Sequence, residues 1–324
     1  MFNIRENISL KPYTVFKIGG RARFFVEVKN KNELEEALSF ASEKKLPIFL
    51  LGAGSNILVS DKGFDGLVIR MLDDKIDISA DEMTCAAGAM MPRAASESVK
   101  AGLAGFEWAV GVPGTVGGSV HGNSGCYDGE IKDNLKEVSV FNIAAKNFRA
   151  FQNNECEFDY RESIFKKRPE LIILNATFSL NKDSDAKSAD LLKKLSQKAG
   201  TRIKEQPVGE KSMGSTFKGI PLEGEILEKI REYDSSWKKN HEKSTWVFEN
   251  RRGFISAGFV IERAGLGGYR IGDAKISEKH KNFIVNCGNA SAENVLMLIG
   301  VIKERVHRKF GIQLEEEIQY VGFE

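Results

Sequence analysis

The feature that most constrains this chain is a glycine-rich stretch between residues 102 and 129. Nine of its residues are glycine, at positions 102, 105, 111, 114, 117, 118, 122, 125 and 129, where average usage would give about two. Valines at 112, 116 and 120 interrupt the glycines, and solvated linkers seldom have such apolar anchors. The stretch is therefore either a flexible loop without a ligand or a segment whose main-chain N–H groups wrap a phosphate-bearing ligand.

A shorter glycine loop, Gly52-Ala53-Gly54-Ser55-Asn56, follows a predicted strand at 47–51. Glycines at a strand end let backbone N–H groups approach a phosphate without a Cβ in the way. A Rossmann fingerprint needs a third glycine and a helix directly after the loop, whereas residues 57–59 again resemble a strand. The loop is either a tight turn or a phosphate site of another kind. Two such loops together indicate a ligand of dinucleotide size.

Composition excludes several functional classes. The 324 residues include 47 Lys and Arg against 45 Asp and Glu, a net charge of +2, and they show no basic cluster that would favour nucleic-acid binding. The longest apolar runs, such as 46–51 and 295–302, are far shorter than the roughly 20 residues of a membrane helix. Arg5 and Glu6 stand where a signal peptide would be apolar, so we expect a cytoplasmic protein without membrane insertion. Nothing indicates an obligate protein partner.

Cysteine and histidine spacing points to neither a metal site nor a serine nucleophile. The four cysteines, at 85, 126, 156 and 287, form no C-x-x-C pair and have no histidine at metal-ligand spacing, which predicts free thiols and no metal. The histidines at 121, 241, 280 and 307 show no triad spacing. Ser215 lacks the G-x-S-x-G elbow of a hydrolase.

Hydrophobic periodicity predicts a chain of mixed helices and strands. Predicted strands lie at 23–28, 47–51, 57–59, 66–70, 75–78, 82–87, 137–143, 147–150, 171–180, 214–218, 282–286 and 312–321, and predicted helices at 32–45, 92–101, 185–205, 257–264 and 292–310. The Lys-rich helix at 185–205 is amphipathic, and we expect it to link two domains.

Two charged segments stay ambiguous when residue types alone are considered. Arg161 lies among three aromatic residues, and a partly buried arginine needs a carboxylate from the protein or from a ligand. An ion pair within the protein is the simpler interpretation. In the alternating segment 312–321, Glu317 belongs to an acidic face that a terminal strand would turn to solvent.

Taken in order, the motifs of this chain resemble those of the UDP-N-acetylenolpyruvoylglucosamine reductases. The matching positions are Thr14 with Ile18-Gly19-Gly20 and Ala22, GAGSN at 52–56, PGTVGG at 113–118 with Asn123 and Gly125, YRESIF at 160–165, GSTFK at 214–218, SEKHKNFIVN at 277–286 and LEEEI at 314–318. Their spacing is similar to that of the shorter subgroup of the family, which lacks an extra tyrosine-bearing loop.

The resemblance implies an α+β fold, in which a two-part FAD-binding domain of the vanillyl-alcohol-oxidase (PCMH) type precedes a smaller α+β substrate-binding domain. The expected bounds are 1–72 and 73–184 for the two FAD-binding subdomains, 185–210 for the linking helix and 211–324 for the C-terminal domain. The resemblance further implies that FAD is bound non-covalently. The implied FAD-binding residues are Gly52, Ala53, Gly54, Ser55, Asn56, Pro113, Gly114, Thr115, Gly117, Gly118 and Asn123.

The activity implied by the resemblance completes UDP-N-acetylmuramate for bacterial peptidoglycan. NADPH, the co-substrate, gives hydride to the flavin and leaves, and the enolpyruvyl sugar nucleotide then takes hydride at C3 and a proton at C2. Ser215 is implied as the proton donor, while Arg161 and Glu317 would stabilise the enol-like intermediate. Lys218 and Asn282 would line the substrate site.

Two departures from the family pattern concern the region after Lys218. The Asn and Pro expected after GSTFK are replaced by Gly219-Ile220. An insertion at about 219–254 carries Tyr233, Trp237, Trp246 and Phe248. We interpret it as a surface insertion, with a substrate lid as the alternative.

Two other functions compete with the reductase. The first is a flavin oxidase of the same cofactor-binding superfamily, with flavin attached covalently to His121 or Cys126. The second is a sugar-nucleotide-binding protein that has lost activity. The joint presence of Arg161, Ser215 and Glu317 argues against the second alternative.

Overall fold

The computed structural model describes residues 3–126, 129–182, 188–221, 247–248 and 254–323. The chain forms two compact units. The first comprises Met1–Ile8, Ala22–Gly54 and Phe64–Lys204, and the second comprises Ser9–Arg21, Ser55–Gly63 and Glu205–Glu324. Each unit is assembled from separate stretches of sequence. The predicted domains, by contrast, are continuous ranges of the sequence, and their bounds stay a prediction.

Helices and strands are numbered in chain order within the described residues. The strands are β1 (Arg5–Ser9), β2 (Arg21–Val28), β3 (Ile48–Leu51), β4 (Ile57–Val59), β5 (Phe64–Met71), β6 (Ile76–Ser79), β7 (Glu82–Ala86), β8 (Leu103–Ala104), β9 (Gly125–Cys126), β10 (Gly129–Glu130), β11 (Leu135–Asn142), β12 (Asn147–Gln152), β13 (Leu171–Ser179), β14 (Asn181–Lys182), β15 (Ser212–Ser215), β16 (Ile220–Pro221), β17 (Val247–Phe248), β18 (Phe254–Ile255), β19 (Arg270–Ile271), β20 (Ala274–Ile276), β21 (Phe283–Asn286) and β22 (Gln319–Val321). The helices are α1 (Lys31–Glu43), α2 (Met91–Lys100), α3 (Val116–His121), α4 (Ile131–Asn134), α5 (Ile164–Lys167), α6 (Ser188–Glu205), α7 (Ala257–Arg263) and α8 (Ala292–Phe310).

The first unit contains a sheet in the order β1-β2-β5-β3, in which β5 pairs in parallel with both β2 and β3. The intervening helix α1 starts at Asn30, whose side chain accepts a hydrogen bond from the Glu33 N–H. Leu34 and Leu38, one turn apart, pack on the sheet. The result is a strand–helix–strand layer whose β3 strand leads directly into the first glycine loop.

A second sheet of the first unit is antiparallel, in the order β12-β11-β13-β7-β6. Its core includes Phe106 and Phe178, whose ring centroids lie 4.7 Å apart. Helices α2 and α3 pack on the same core through Ala94, Ala95 and Val120. This core fixes the glycine-rich stretch in place.

The second unit is built around the antiparallel sheet β15-β21-β20-β19. Helix α8 covers it with an apolar face that includes Leu298 and Ile302. Ser291 caps the start of α8 in a capping box with Asn294, and Gly311 ends it in the left-handed conformation at φ 67°. Strands β4 and β22 of the same unit pair in parallel as a separate two-stranded sheet.

The predicted α+β fold class is confirmed, and so is the strand that directly follows the first glycine loop. The predicted strand at 312–321 is wrong over most of its length. Only Gln319–Val321 is a strand, and Glu316 pairs singly with Phe217. The apolar residues of the alternating pattern, Leu314 and Ile318, are buried in the core. That burial explains the pattern without continuous β-strand pairing. Helix α3 was not predicted, because glycine disfavours helices.

The insertion is described only at residues 219–221, 247–248 and 254. Strand β16 pairs with β18 through Ile220 and Ile255, so the segment leaves and rejoins the unit at neighbouring points. Residues 222–246 and 249–253, with Tyr233, Trp237 and Trp246, lie outside the described residues, as does the predicted helix start at 185–187. None of the described helices combines the length and the apolar character needed to cross a bilayer.

Candidate active site

The second glycine loop, residues 113–118, is held firmly by main-chain hydrogen bonds. The Met91 N–H donates to the Gly114 carbonyl at 2.9 Å, and the N–H groups of Val116 and Gly117 donate to carbonyls of residues 89 and 87 at 2.8 and 2.9 Å. The Thr115 hydroxyl caps α3 by accepting from the Gly118 N–H. The loop is therefore an ordered element of the core and not a flexible connection.

The two glycine loops lie side by side in the first unit. A Cβ at Gly52 would stand 2.6 Å from the Thr115 Oγ1, and a Cβ at Gly117 would stand 2.9 Å from the Ala87 Cβ. Both distances are shorter than side-chain atoms tolerate, so the approach of the two loops needs glycine at 52, and the packing of the second loop on Ala87 needs glycine at 117.

Several backbone N–H groups of these loops are left without a protein acceptor. Within the part of the chain that the structure describes, this holds for Gly52, Ala53 and Gly54 in the first loop and for Gly114 and Thr115 in the second. Gly54 is buried, and buried N–H groups are normally paired. Phosphate oxygens are suitable acceptors for such clustered donors. The residues present therefore fit a dinucleotide such as FAD.

Asn123 supports the backbone of the same region. Its side chain is fully buried, with Nδ2 donating to the Asp159 carbonyl at 2.9 Å and Oδ1 accepting from the Lys132 N–H at 3.1 Å. The implied contact of Asn123 with the cofactor stays a prediction.

Arg161 lies at the tip of a tight turn. Asp159 and Glu162 exchange two main-chain hydrogen bonds of 3.1 Å, which leaves Tyr160 and Arg161 as the turn residues. Arg161 has φ 57°, a left-handed conformation that is uncommon outside glycine. Its Nη2 donates to the Gly125 carbonyl at 3.0 Å. The guanidinium also lies 5.2 Å from the centre of the Tyr160 ring.

Ser215 ends strand β15 just after a β-bulge. The pairing of β15 with β21 shifts register between Ser212 and Ser215, and the intervening Gly214 has φ 83°. The Ser215 side chain is half-buried. Among the residues that the structure describes, its hydroxyl has no hydrogen-bond partner. The hydroxyl is therefore available to a ligand.

Asn282 fixes the chain directly after Ser215. It is 6% exposed, and its side chain donates to the Phe217 carbonyl at 2.8 Å and accepts from the Phe217 N–H at 3.0 Å. Its own carbonyl accepts from the Thr216 N–H at 2.7 Å. Nearby, Lys218 pairs with Glu315 at 2.6 Å. The family resemblance implied only a substrate contact for Asn282. Its role as a backbone clamp could not be predicted, because a side-chain bond to a distant backbone leaves no local sequence pattern.

Glu317 joins the same structure from the C-terminal segment. Its N–H donates to the Thr216 carbonyl at 2.9 Å, and its carbonyl accepts from the Asn56 side chain at 3.2 Å. The second unit thus brings together Ser215, Glu317 and the end of the first glycine loop. This grouping unites residues from three separate motifs.

Comparison with known proteins identifies the family. Residues 206–321 match the model for the C-terminal domain of UDP-N-acetylenolpyruvoylglucosamine reductase, and residues 22–145 match the model for an FAD binding domain. The UDP-N-acetylenolpyruvoylglucosamine reductase of Caldicellulosiruptor bescii is 38% identical over 97% of this chain and 89% of its own length. The chain belongs to the UDP-N-acetylenolpyruvoylglucosamine reductase family.

Further members of the family support the assignment over the whole length. The reductase of Clostridioides difficile is 34% identical over 99% of this chain and 94% of its own. The crystal structure of the reductase from Thermus caldophilus aligns with a TM-score of 0.76 at 30% identity, covering 99% of this chain and all of that one. The predicted resemblance is therefore confirmed.

The two family models divide the site residues unequally. The FAD-binding match contains both glycine loops, and the reductase C-terminal match contains Ser215, Lys218, Asn282 and Glu317. Arg161 falls between the two matched ranges. Its assignment therefore rests on its own motif and on the geometry of its turn.

Of the two residues considered for covalent flavin attachment, His121 belongs to the support of the Arg161 turn. The His121 carbonyl accepts a 2.6 Å hydrogen bond from the Ser163 hydroxyl. Burial, reinforced by the nearby Lys166 charge, lowers the pKa of His121 to about 4. Cys126 is half-buried in β9. Within the described residues, no group of three or more His, Cys, Asp or Glu side chains could hold a metal ion.

Proposed function

We propose that this protein reduces UDP-N-acetyl-3-O-(1-carboxyvinyl)-glucosamine to UDP-N-acetylmuramate, with NADPH as reductant and non-covalently bound FAD as cofactor. This reaction supplies a precursor of peptidoglycan. One observation carries the proposal: in the second unit, the Ser215 hydroxyl, which has no hydrogen-bond partner among the described residues, lies on a segment tied to Glu317 and, through Asn56, to the first glycine loop.

The glycine loops are proposed to hold the cofactor. The N–H groups of Gly52, Ala53, Gly54, Gly114 and Thr115, which have no acceptor in the described part of the chain, would donate to its pyrophosphate oxygens. Ser55, Asn56, Pro113, Gly117, Gly118 and Asn123 complete the proposed binding set. Bound FAD supplies hydride that originates from NADPH.

The protein's own residues would manage the charge and the proton. Addition of hydride at C3 of the substrate builds negative charge on the carboxyl-conjugated C2. The fixed guanidinium of Arg161 would stabilise that charge. Glu317 would contribute either as a protonated carboxyl group that donates a hydrogen bond or by orienting the polar groups around the site, since an ionised carboxylate would repel the charge. The Ser215 hydroxyl would donate the proton to C2, since such a carbanion is a strong base. Lys218 and Asn282 are proposed to line the substrate site.

The test follows flavin absorbance through one anaerobic cycle of the purified holoprotein. NADPH should bleach the flavin, and the enolpyruvyl sugar nucleotide should then restore its colour. UDP-N-acetylglucosamine, which lacks the reducible double bond, is the matched control and should restore nothing. A flavin that NADPH leaves oxidised, or a protein that cannot be loaded with FAD, would overturn the proposal.

Acid precipitation separates the reductase from the oxidase alternative. We expect the flavin to stay in the supernatant. Flavin that remains with the precipitated protein would indicate covalent attachment and would favour an oxidase.

A further inference from the structure

The Arg161 turn needs support from the surrounding structure. A non-glycine residue at positive φ is strained, and such a conformation persists only where neighbouring contacts maintain it. Arg161 has φ 57°. The exchange of hydrogen bonds between Asp159 and Glu162 closes the turn, but it does not engage the carbonyl group of Arg161 itself.

Lys166 provides that missing contact. Its Nζ donates to the Arg161 carbonyl oxygen at 2.5 Å and lies 3.4 Å from the Glu162 Oε1. The Lys166 side chain is 20% exposed, so the ammonium group is partly desolvated where it binds the turn. A charge-assisted hydrogen bond of this kind is stronger than a neutral one.

The helix that carries Lys166 is itself anchored behind the turn. Ser163 caps the start of α5 by accepting from the Phe165 N–H, and its hydroxyl donates to the His121 carbonyl at 2.6 Å. His121 ends α3, the helix that begins in the second glycine loop. A continuous set of hydrogen bonds therefore runs from this loop to Lys166.

From this geometry, and resting on the function proposed above, we propose that Lys166 is a positioning residue that holds the Arg161 turn in its left-handed conformation. The ammonium group acts on the main chain of Arg161 and has no contact with the substrate. Its removal lets the turn relax, so the guanidinium no longer meets the developing charge.

The next residue offers a matched control. Lys167 lies on the same helix and carries the same charge, but it pairs with Glu157 at 2.9 Å and is 60% exposed. Lys166→Met and Lys167→Met each remove one positive charge and shorten the side chain by the same amount. Only Lys166→Met also removes the hydrogen bond to Arg161.

The half-reactions distinguish positioning from a general structural role. In Lys166→Met, substrate-driven reoxidation of the reduced flavin should slow roughly 10- to 100-fold, while reduction by NADPH stays within about twofold of the parent. Lys166→Arg, which keeps a charged donor, should recover much of the rate. Equal slowing of both half-reactions, or Lys166→Met behaving like Lys167→Met, would overturn the proposal. If Lys166→Met does not fold, Lys166→Gln takes its place.

Hydrogen exchange tests the same inference without relying on the proposed reaction. The amides of Asp159 and Glu162 should exchange several-fold faster in Lys166→Met than in Lys167→Met. Unchanged exchange would contradict the positioning role even if the reaction is as proposed. A parent protein that fails the anaerobic cycle would instead reject the proposed function, and the exchange comparison would still decide whether Lys166 holds the turn.

Discussion

The Arg161 turn and the Ser215 strand hold their proposed reacting groups in opposite ways. Arg161 is fixed at both its side chain and its main chain. Its guanidinium donates to the Gly125 carbonyl and lies near the Tyr160 ring, and its own carbonyl accepts a hydrogen bond from Lys166 Nζ. Ser215 has a fixed backbone but a hydroxyl without a partner among the described residues.

The difference corresponds to two kinds of chemistry. A group that stabilises charge is most effective when it is already oriented and needs no reorganisation. A proton donor must instead be able to turn its O–H toward the accepting atom, so a permanent hydrogen bond would compete with its function. The comparison leads to four predictions.

The largest effect is expected from Ser215→Ala. Substrate-driven reoxidation should slow by about 10²–10⁴-fold, whereas reduction by NADPH and the free energy of unfolding should hardly change, because the hydroxyl has no partner to lose within the part of the chain that the structure describes. The control is Ser212→Ala on the same strand, whose hydroxyl accepts from the Gly214 N–H at 3.1 Å. It should cost about 1 kcal/mol of stability with no selective effect on reoxidation. Equal slowing of both half-reactions by Ser215→Ala would reject the proton-donor role.

A smaller but substantial effect is expected from Asn282→Ala. The substitution leaves the N–H and the carbonyl of Phe217 without partners, which should lower the free energy of unfolding by roughly 3 kcal/mol. Chemical denaturation of the FAD-saturated protein measures this loss.

Asn286 provides the control for Asn282, because it ends β21, the strand that Asn282 directly precedes, and is also 6% exposed. Its side chain donates to the Phe16 carbonyl at 3.1 Å. Asn286→Ala should lose comparable stability, while only Asn282→Ala should also slow reoxidation by substrate. Equal rates in the two variants would show that the backbone of the Ser215 strand needs no clamp.

Gly214→Ala should sharpen the comparison at the bulge. Gly214 has φ 83°, and a Cβ there would stand 3.6 Å from the nearest atom. The cost of the substitution therefore comes from backbone strain at positive φ and not from a steric clash. We expect a loss of about 1–2 kcal/mol and slower reoxidation. Gly209, at φ 91° with open space around it, is the control. Gly209→Ala should lose similar stability and leave the rate unchanged. Identical rates would mean that the bulge does not orient Ser215.

The smallest effect concerns pH and the support beneath the Arg161 turn. Burial and then the Lys166 charge lower the pKa of His121 from 6.5 to about 4. The unfolded chain therefore binds more protons than the folded one between these values. The contribution of His121 to the free energy of unfolding is thus fully present above pH 6.5 and is lost as the pH drops toward 4.

Removing this histidine should reduce the acid-induced loss. Between pH 7 and 5, His121→Gln should lose roughly 2 kcal/mol less than the parent. His307→Gln, at an exposed position in the last turn of α8, should lose as much as the parent. Denaturation curves at the two pH values measure the difference. A loss in His121→Gln equal to that of the parent would contradict the buried, neutral state of His121.

Local pattern was sufficient for much of the fold but not for all of it. The helix at 292–310 was predicted from its apolar spacing, and the structure has the same bounds. Helix α3 was missed, because a cap at Thr115 and core packing of Val116 and Val120 outweigh the low helix propensity of its two glycines. The segment 312–318 alternates like a strand, yet only Glu316 finds a pairing partner there.

The sequence by itself determined which residue types the site contains: glycine where a Cβ would collide, a serine in GSTFK and an arginine among aromatic residues. The tertiary structure decided which of their groups are available: the loop N–H groups and the Ser215 hydroxyl, which have no partner among residues 3–126, 129–182, 188–221, 247–248 and 254–323, and the left-handed Arg161. The physical reason is that availability depends on which partners the rest of the chain brings near. Asn56 and Glu317, 261 residues apart, are joined by one such hydrogen bond, and no local pattern specifies it.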